Sequence, residues 1–160
     1  MARATAAKAH PKQAAPAAPR VLDAFDTLRT TRALAPHDLA LNDVRWLIGE
    51  ALRRRHQRIG AGLSHRDVLH AAAAARRVGE APAEAELQAA EVLRRCQNAA
   101  GPAHWPILRL IVLEGRRTEK CRALIPEVLT PWRADACVMD RLRVGLDAIG
   151  HILGVTGPSR

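Results

Sequence analysis

The chain has 160 residues, room for one modest hydrophobic core, and its aromatic residues are three Trp and one Phe with no Tyr. Ala, Leu and Arg favour helix, whereas a sheet protein draws on β-branched and aromatic side chains. Composition therefore excludes a β-rich fold and predicts an all-α bundle of about six to seven helices. The formal net charge of +9 points toward nucleic acid, but residues 1–20 carry +4 of it, residues 21–103 carry +2 and residues 104–160 carry +3.

The opening MARATAAKAHPKQAAPAAPR combines four cations, no acid and prolines at positions 11, 16 and 19. Pro blocks helix and nothing apolar anchors the segment, so residues 1–20 read as a disordered tail that either only aids solubility or adds non-specific phosphate attraction. From Val21 the pattern turns helical, with Leu22, Phe25, Leu28 and Ala33 at helix spacing. Pro36 breaks that segment and suits the first turn of the next. There, Leu41, Val44, Leu47, Ile48 and Leu52 share one face. Arg53, Arg54, Arg55 and Arg58 follow near the helix C-terminus, where the macrodipole favours cations by roughly 0.3–1 kcal/mol each. The same run forms a candidate secondary basic patch.

Gly60 and Gly62 mark a loop, and Ser64 with Asp67 reads as an N-cap for a helix HRDVLHAAAAARR. His65 and His70, five apart, lack the i, i+4 spacing of paired metal ligands. After Gly79 and Pro82, PAEAELQAAEVLRRCQNAAG predicts a strong helix with Leu87, Ala90, Val92 or Leu93, and Cys96 buried, and Gly101 past its end. HWPILRLIVLEG predicts a helix buried on most sides, with Pro106 in its first turn and Gly115 as a left-handed cap. Thr118 then caps a short helix, TEKCRALI, with Cys121, Leu124 and Ile125 on its apolar face. Thr130 and Pro131 open the most sustained helix, whose stripe Val138, Leu142, Leu146, Ile149 and Leu153 steps by 4, 4, 3 and 4, with Gly154 as C-cap.

Helix, tight turn, short helix, connection and long helix is the order of a helix-turn-helix. Residues 118–125 map onto its positioning helix and the start of residues 131–153 onto its recognition helix. Trp132, Arg133 and Asp135 then face the groove, while Arg116, Arg117, Lys120 and Arg122 meet phosphate.

WPILRLIVLEGRRTEKCRALI followed by MDRLRVGLDAIGHILG is similar to a family of bacterial domains of unknown function with a C-terminal helix-turn-helix-like segment resembling the DNA-reading region of sigma factors. Leu142, Arg143, Gly145, Leu146, Asp147 and His151 match that family's last motif, and DAFDTLRTTRAL with the helix after it is similar to its upstream part. The resemblance spans residues 23–154 and implies association with DNA. Three features depart from it. Arg133 is the one good base reader at the start of the long helix, Asp135 and Asp140 repel phosphate, and the connection PEVLTP exceeds a tight turn.

Catalytic chemistry finds little support in these residues. Glu114 with Glu119, and Asp135 with Asp140, are five apart and point to different helix faces, and GxGxxG, P-loop, nucleophile-elbow and HExxH motifs are all missing. Cys121 lies among Arg117, Lys120 and Arg122, which lower a thiol pKa, but its place on an apolar face argues for burial. Cys96, Cys121 and Cys137, odd in number and without a CxxC pair, fit a reducing compartment. No run approaches the ~18 apolar residues of a membrane span, and no secretory signal is evident.

The organisation expected is a tail at 1–20, a helical bundle region at 21–103 and a helix-turn-helix-like region at 104–156 packed with it as one domain. The expected function is a small cytoplasmic transcriptional regulator that binds double-stranded DNA, with a homodimer or a protein partner as its companion, without a cofactor and without membrane association. The alternative is a helical interaction or assembly protein, such as an adaptor or a phage-type packaging component, that does not read DNA.

Overall fold

In a computed structural model the described residues are 23–59, 66, 68–70, 73, 84–128 and 130–155. The expected tail, Gly60, Gly62, Gly79, Pro82, the Ser64 and Asp67 cap and most of the helix after it lie outside the described residues. The described residues form helices and turns without a strand, an all-α fold.

Asp23 opens the first helix, α1 (Ala24–Thr30), its carboxylate accepting the amides of Phe25 and Asp26 at 2.9 Å each. Arg32 ends the turn after it with a left-handed φ of 57°, and the amide of Ala33 closes back on the carbonyl of Leu28 at 2.8 Å. This turn sends Leu34, rather than the expected Ala33, fully into the core.

Helix α2 (Leu39–Gln57) starts at Asp38, whose carboxylate accepts the Leu41 amide at 2.9 Å. Pro36 therefore precedes the helix instead of occupying its first turn, because the side-chain cap fixes the start two residues later. Asn42, Ile48, Gly49 and Leu52 define the buried face, so the stripe is rotated from the expected one and Leu47 is exposed. Asn42 accepts the Ala35 amide and donates to the Arg29 carbonyl. Arg45 and Arg143 donate to the carbonyls of Leu34 (2.5 Å) and Ala33 (2.7 Å), so the α1–α2 turn finds partners for its main-chain oxygens.

Helix α3 (Glu84–Leu108) is broken at Gly101, where φ 72° and ψ 176° are open to glycine and end the first half as expected. Pro102, not Pro106, takes the first turn of the second half. Past Leu108 the backbone widens into a π-helical turn, Arg109–Leu113, in which the Glu114 amide donates to the Arg109 carbonyl at 3.0 Å. Gly115 follows at φ 64°, the expected left-handed cap, and the Arg116 amide closes on Leu110 at 2.8 Å. Residues Thr118–Leu124 form a 3-10 helix rather than an α-helix. Arg117 is its N-cap, and Thr118 is its first residue rather than its cap. Cys121 and Ile125 are buried, whereas Leu124 turns to solvent.

Thr130 and Pro131 open helix α4 (Pro131–Gly150) where expected, and Gly154 ends the following turn at φ 72°. Val138, Leu142, Leu146 and Ile149 are fully buried, and Leu153 is half-buried. They join Phe25, Leu34, Ile48, Leu52, Leu93 and Ile111 in one core that residues from both sides of position 103 share. Val68 adds to it from the partly described stretch at 66–73. Among the described residues no helix is long and apolar enough to cross a membrane.

Among the described glycines the closest packing is at Gly49, where α2 meets α1 and an added Cβ would overlap the Phe25 ring. Phe25 is fully buried and has no room to withdraw. Gly49→Ala should therefore destabilise the protein by about 1–3 kcal/mol, despite the better helix propensity of Ala, as read by urea denaturation. A stability equal to or above that of the wild type would contradict this packing.

Candidate nucleic-acid interface

The two basic groups predicted from sequence are placed differently. In the RRR run, Arg53 turns inward instead of joining an exposed patch. It donates from Nε to the Val112 carbonyl at 2.6 Å and from Nη1 to Glu50 at 2.9 Å, with Asp26 at 3.6 Å, and its Nη2 is bonded to Asp23. The π-helical turn leaves the Val112 carbonyl without a helical donor, and Arg53 supplies one. Burial opposes ionisation of Asp23, but the hydrogen bond from Arg53, those from the amides of Asp26 and Phe25, and the guanidinium charge outweigh it. The Asp23 carboxyl is held below its ordinary range. Arg54 and Arg58 are exposed, and Arg55 is half-buried. Arg54 donates to the Glu50 carbonyl at 3.3 Å.

The second group surrounds the 3-10 helix. Gly115 lifts the chain off α3, so Arg116 and Arg117 project at the entry of the 3-10 helix, with Lys120 exposed one turn on. Arg116 has only a long contact, 3.9 Å, to Glu114, whose nearer partner is Arg109 at 2.9 Å. Arg122, half-buried, is committed to a partner within the protein. Its Nε and Nη2 grip both oxygens of Asp135 at 2.7 and 2.6 Å and tie the 3-10 helix to the first turns of α4. Asp135, expected in the groove as a source of repulsion, is thereby neutralised. The hydrogen bond from Arg122 is the foremost reason that its carboxyl sits below the ordinary range. The pair is 13 residues apart and falls in different helices, so no local spacing announces it.

At the start of α4, Trp132 is 66% exposed and the Arg133 guanidinium lies 5.1 Å from its ring centroid. Arg133 lines a separate hollow with Glu127, Val128, Thr130, Ala136 and Cys137, while Arg116 and Arg117 line a cleft against α1. The predicted residues thus form two clusters, 116–120 and 132–133, joined through the Arg122–Asp135 strut.

Three further acids of this half are drawn into ion pairs. Glu127 meets Arg141 at 2.5 Å, Asp140 meets Arg143 at 3.8 Å and Asp147 meets Arg45 at 2.6 Å. Glu119 alone of the described acids from 104 to 155 has no ion pair. Among the described residues from 104 to 155, Arg117, Lys120 and Arg133 have no carboxylate partner, so the surplus positive charge of this half is left at the two clusters.

Cys121 is buried rather than activated. Burial, with smaller contributions from Glu114 and Glu119, pushes its thiol up to about 11, and burial likewise moves Cys96 to about 11. Cys137 is half-buried. No family model, curated protein or solved structure matches the chain.

Two outcomes follow from this geometry. Arg53→Met leaves Asp23, Asp26 and Glu50 facing one another and the Val112 carbonyl unpaired, and should cost about 3–5 kcal/mol in denaturant. Because the Asp23 pKa is depressed in the fold, its contribution is present above about pH 4 and lost as pH falls through the folded value. The variant should therefore lose less stability than the wild type on acidification from neutral pH. An unchanged pH dependence would show that Asp23 does not answer to Arg53. Separately, titration with a thiol reagent at pH 8 should find one fast thiol, removed by Cys137→Ser. Cys96 and Cys121, with about one part in a thousand ionised, should react only on unfolding. Two or three fast thiols would contradict the burial.

Proposed function

We propose that this protein is a small DNA-binding regulator that holds duplex DNA through residues 116–133. The observation that carries the reading is the charge pattern of the C-terminal half: five of the six acids between 104 and 155 are held in ion pairs, and the cations there without a close carboxylate are Arg116, Arg117 and Lys120 and, apart from them, Arg133. In this reading the first cluster anchors phosphate and fixes orientation. The start of α4 supplies Trp132 and Arg133, and the positive end of a 20-residue helix whose cap makes no side-chain hydrogen bond attracts a further phosphate. Arg122 acts as the strut that sets the second cluster relative to the first. A homodimer working in the cytoplasm is the natural companion, since two half-sites multiply the weak affinity of one sparsely charged reader.

A second reading has an observation of its own. Trp132, Leu39 and Val144 are at least half exposed and Leu47 and Leu124 are also solvent-facing, which suits a helical interaction or assembly protein. Sedimentation separates the two, because a stable higher oligomer that retains no duplex favours assembly.

The test is fluorescence anisotropy with a labelled duplex of mixed sequence, using the full chain and a chain that starts at Val21, across a salt series. Binding should survive loss of the basic tail. Arg116→Ala with Arg117→Ala should weaken it on every sequence and lower the log–log salt slope by about two. Affinity and slope equal to wild type in that double variant would overturn the mapping.

A further inference from the structure

The Gly115 turn that projects Arg116 and Arg117 also closes a cleft of about 280 Å³ between α1 and the entry of the 3-10 helix. Its walls differ sharply in chemistry. Ala24 and Leu28, backed by the fully buried Ile111, make an apolar floor, while Thr27, Thr118, Arg116, Arg117 and Glu119 bring polar and charged groups to the rim. At about 30 Å³ per water-sized group, the space holds roughly nine non-hydrogen atoms. That is near the small end of ligand sites.

A duplex phosphate satisfies the rim but puts nothing on the floor, and a neutral apolar molecule satisfies the floor while leaving two guanidiniums uncompensated. Arg117 has no carboxylate partner in the fold and Arg116 only a distant one. A compact apolar body bearing a single anionic group answers both walls at once. We infer that this cleft is a binding site for a small amphipathic organic anion, a ring or branched chain carrying one carboxylate. The apolar body lies on Ala24 and Leu28, and the carboxylate accepts hydrogen bonds from Arg116 and Arg117. Glu119, on the same rim, opposes the anion and keeps its affinity modest. The occupied cleft draws on the same two arginines that the preceding section assigns to phosphate, so ligand and duplex compete. This competition rests on that reading, whereas the binding step does not.

The experiment uses full-length protein and benzoate as the probe, with benzamide as the neutral isostere and acetate at equal ionic strength as the charge control, followed by ligand-observed NMR. Benzoate should bind saturably with a Kd on the order of 1 mM, as befits a ligand of this size. Arg117→Ala should weaken benzoate several-fold and leave benzamide unchanged. Glu119→Gln, an exposed change that spares the fold, should tighten benzoate by about two- to fivefold, as removal of one exposed like charge implies, and leave benzamide unchanged. Ala24→Leu, which fills the floor without touching either arginine, should abolish binding of both.

Benzoate binding that fails to saturate, or that is indifferent to Arg117→Ala and Glu119→Gln, overturns the site. In the anisotropy assay, saturating benzoate should displace duplex from wild type and not from Ala24→Leu. Displacement from both, or from neither, overturns the competition. A protein that binds benzoate but no duplex keeps the cleft and discards the DNA reading. One that binds duplex and ignores benzoate does the reverse.

Discussion

The fold hangs on the position of one guanidinium. Arg53 joins the N-cap acid of α1, two further carboxylates from α1 and α2, and the carbonyl of Val112 in the π-helical turn. A charge this enclosed is costly to desolvate and is retained only when nearly all its donors are matched. Here the matching groups come from three elements, so satisfying Arg53 brings the ends of α1, α2 and the second half of α3 together. That arrangement in turn sets where the chain leaves the π-helical turn, and so where Gly115, Arg116 and Arg117 lie against α1. The basic corner is thus positioned from within by a side chain that never meets a ligand.

Electrostatic bookkeeping within the fold explains why a mildly basic body still has a defined positive surface. Arg45, Arg122, Arg141 and Arg143 are all occupied, either by carboxylates or by the carbonyls of the α1–α2 turn. These arginines are taken up within the fold, so net charge alone overstates how much of the arginine is available to a partner. In the C-terminal half, what remains is a small group of cations, two of which, Arg116 and Arg117, line the cleft against α1.

Much of the architecture was legible in the sequence because its signals are local. Gly101, Gly115 and Gly154 each take a positive φ at the end of a helical stretch, and Thr130–Pro131 marks the start of α4. The Val138–Leu142–Leu146–Ile149 stripe needs only the 3.6-residue period. The misreadings came from interactions that span the fold. Arg53 looked like an exposed C-terminal cation because its partners lie 3, 27 and 30 residues away and one is a main-chain oxygen. Asp135 looked repulsive because its neutralising partner sits in the preceding helix. The α2 stripe was rotated because Asn42, a polar residue, belongs to its buried face, where the α1–α2 turn supplies both a donor and an acceptor. The cleft beside α1 has no sequence signature, since Leu28 and Ile111 meet only through the packing of α1 on the π-helical turn.

The π-helical turn carries a consequence of its own for how this chain tolerates change. A turn of i to i−5 bonding holds one residue more than the α-helix it interrupts, so everything beyond it is advanced by one residue of helical phase, about 100°. Loss of any one residue between 109 and 113 would restore ordinary helical pitch while leaving composition and charge nearly intact. It would also swing the Gly115 corner around the axis of α3, parting Arg116 and Arg117 from α1. Chain length in this segment, more than the identity of its apolar residues, is what natural variation must hold constant.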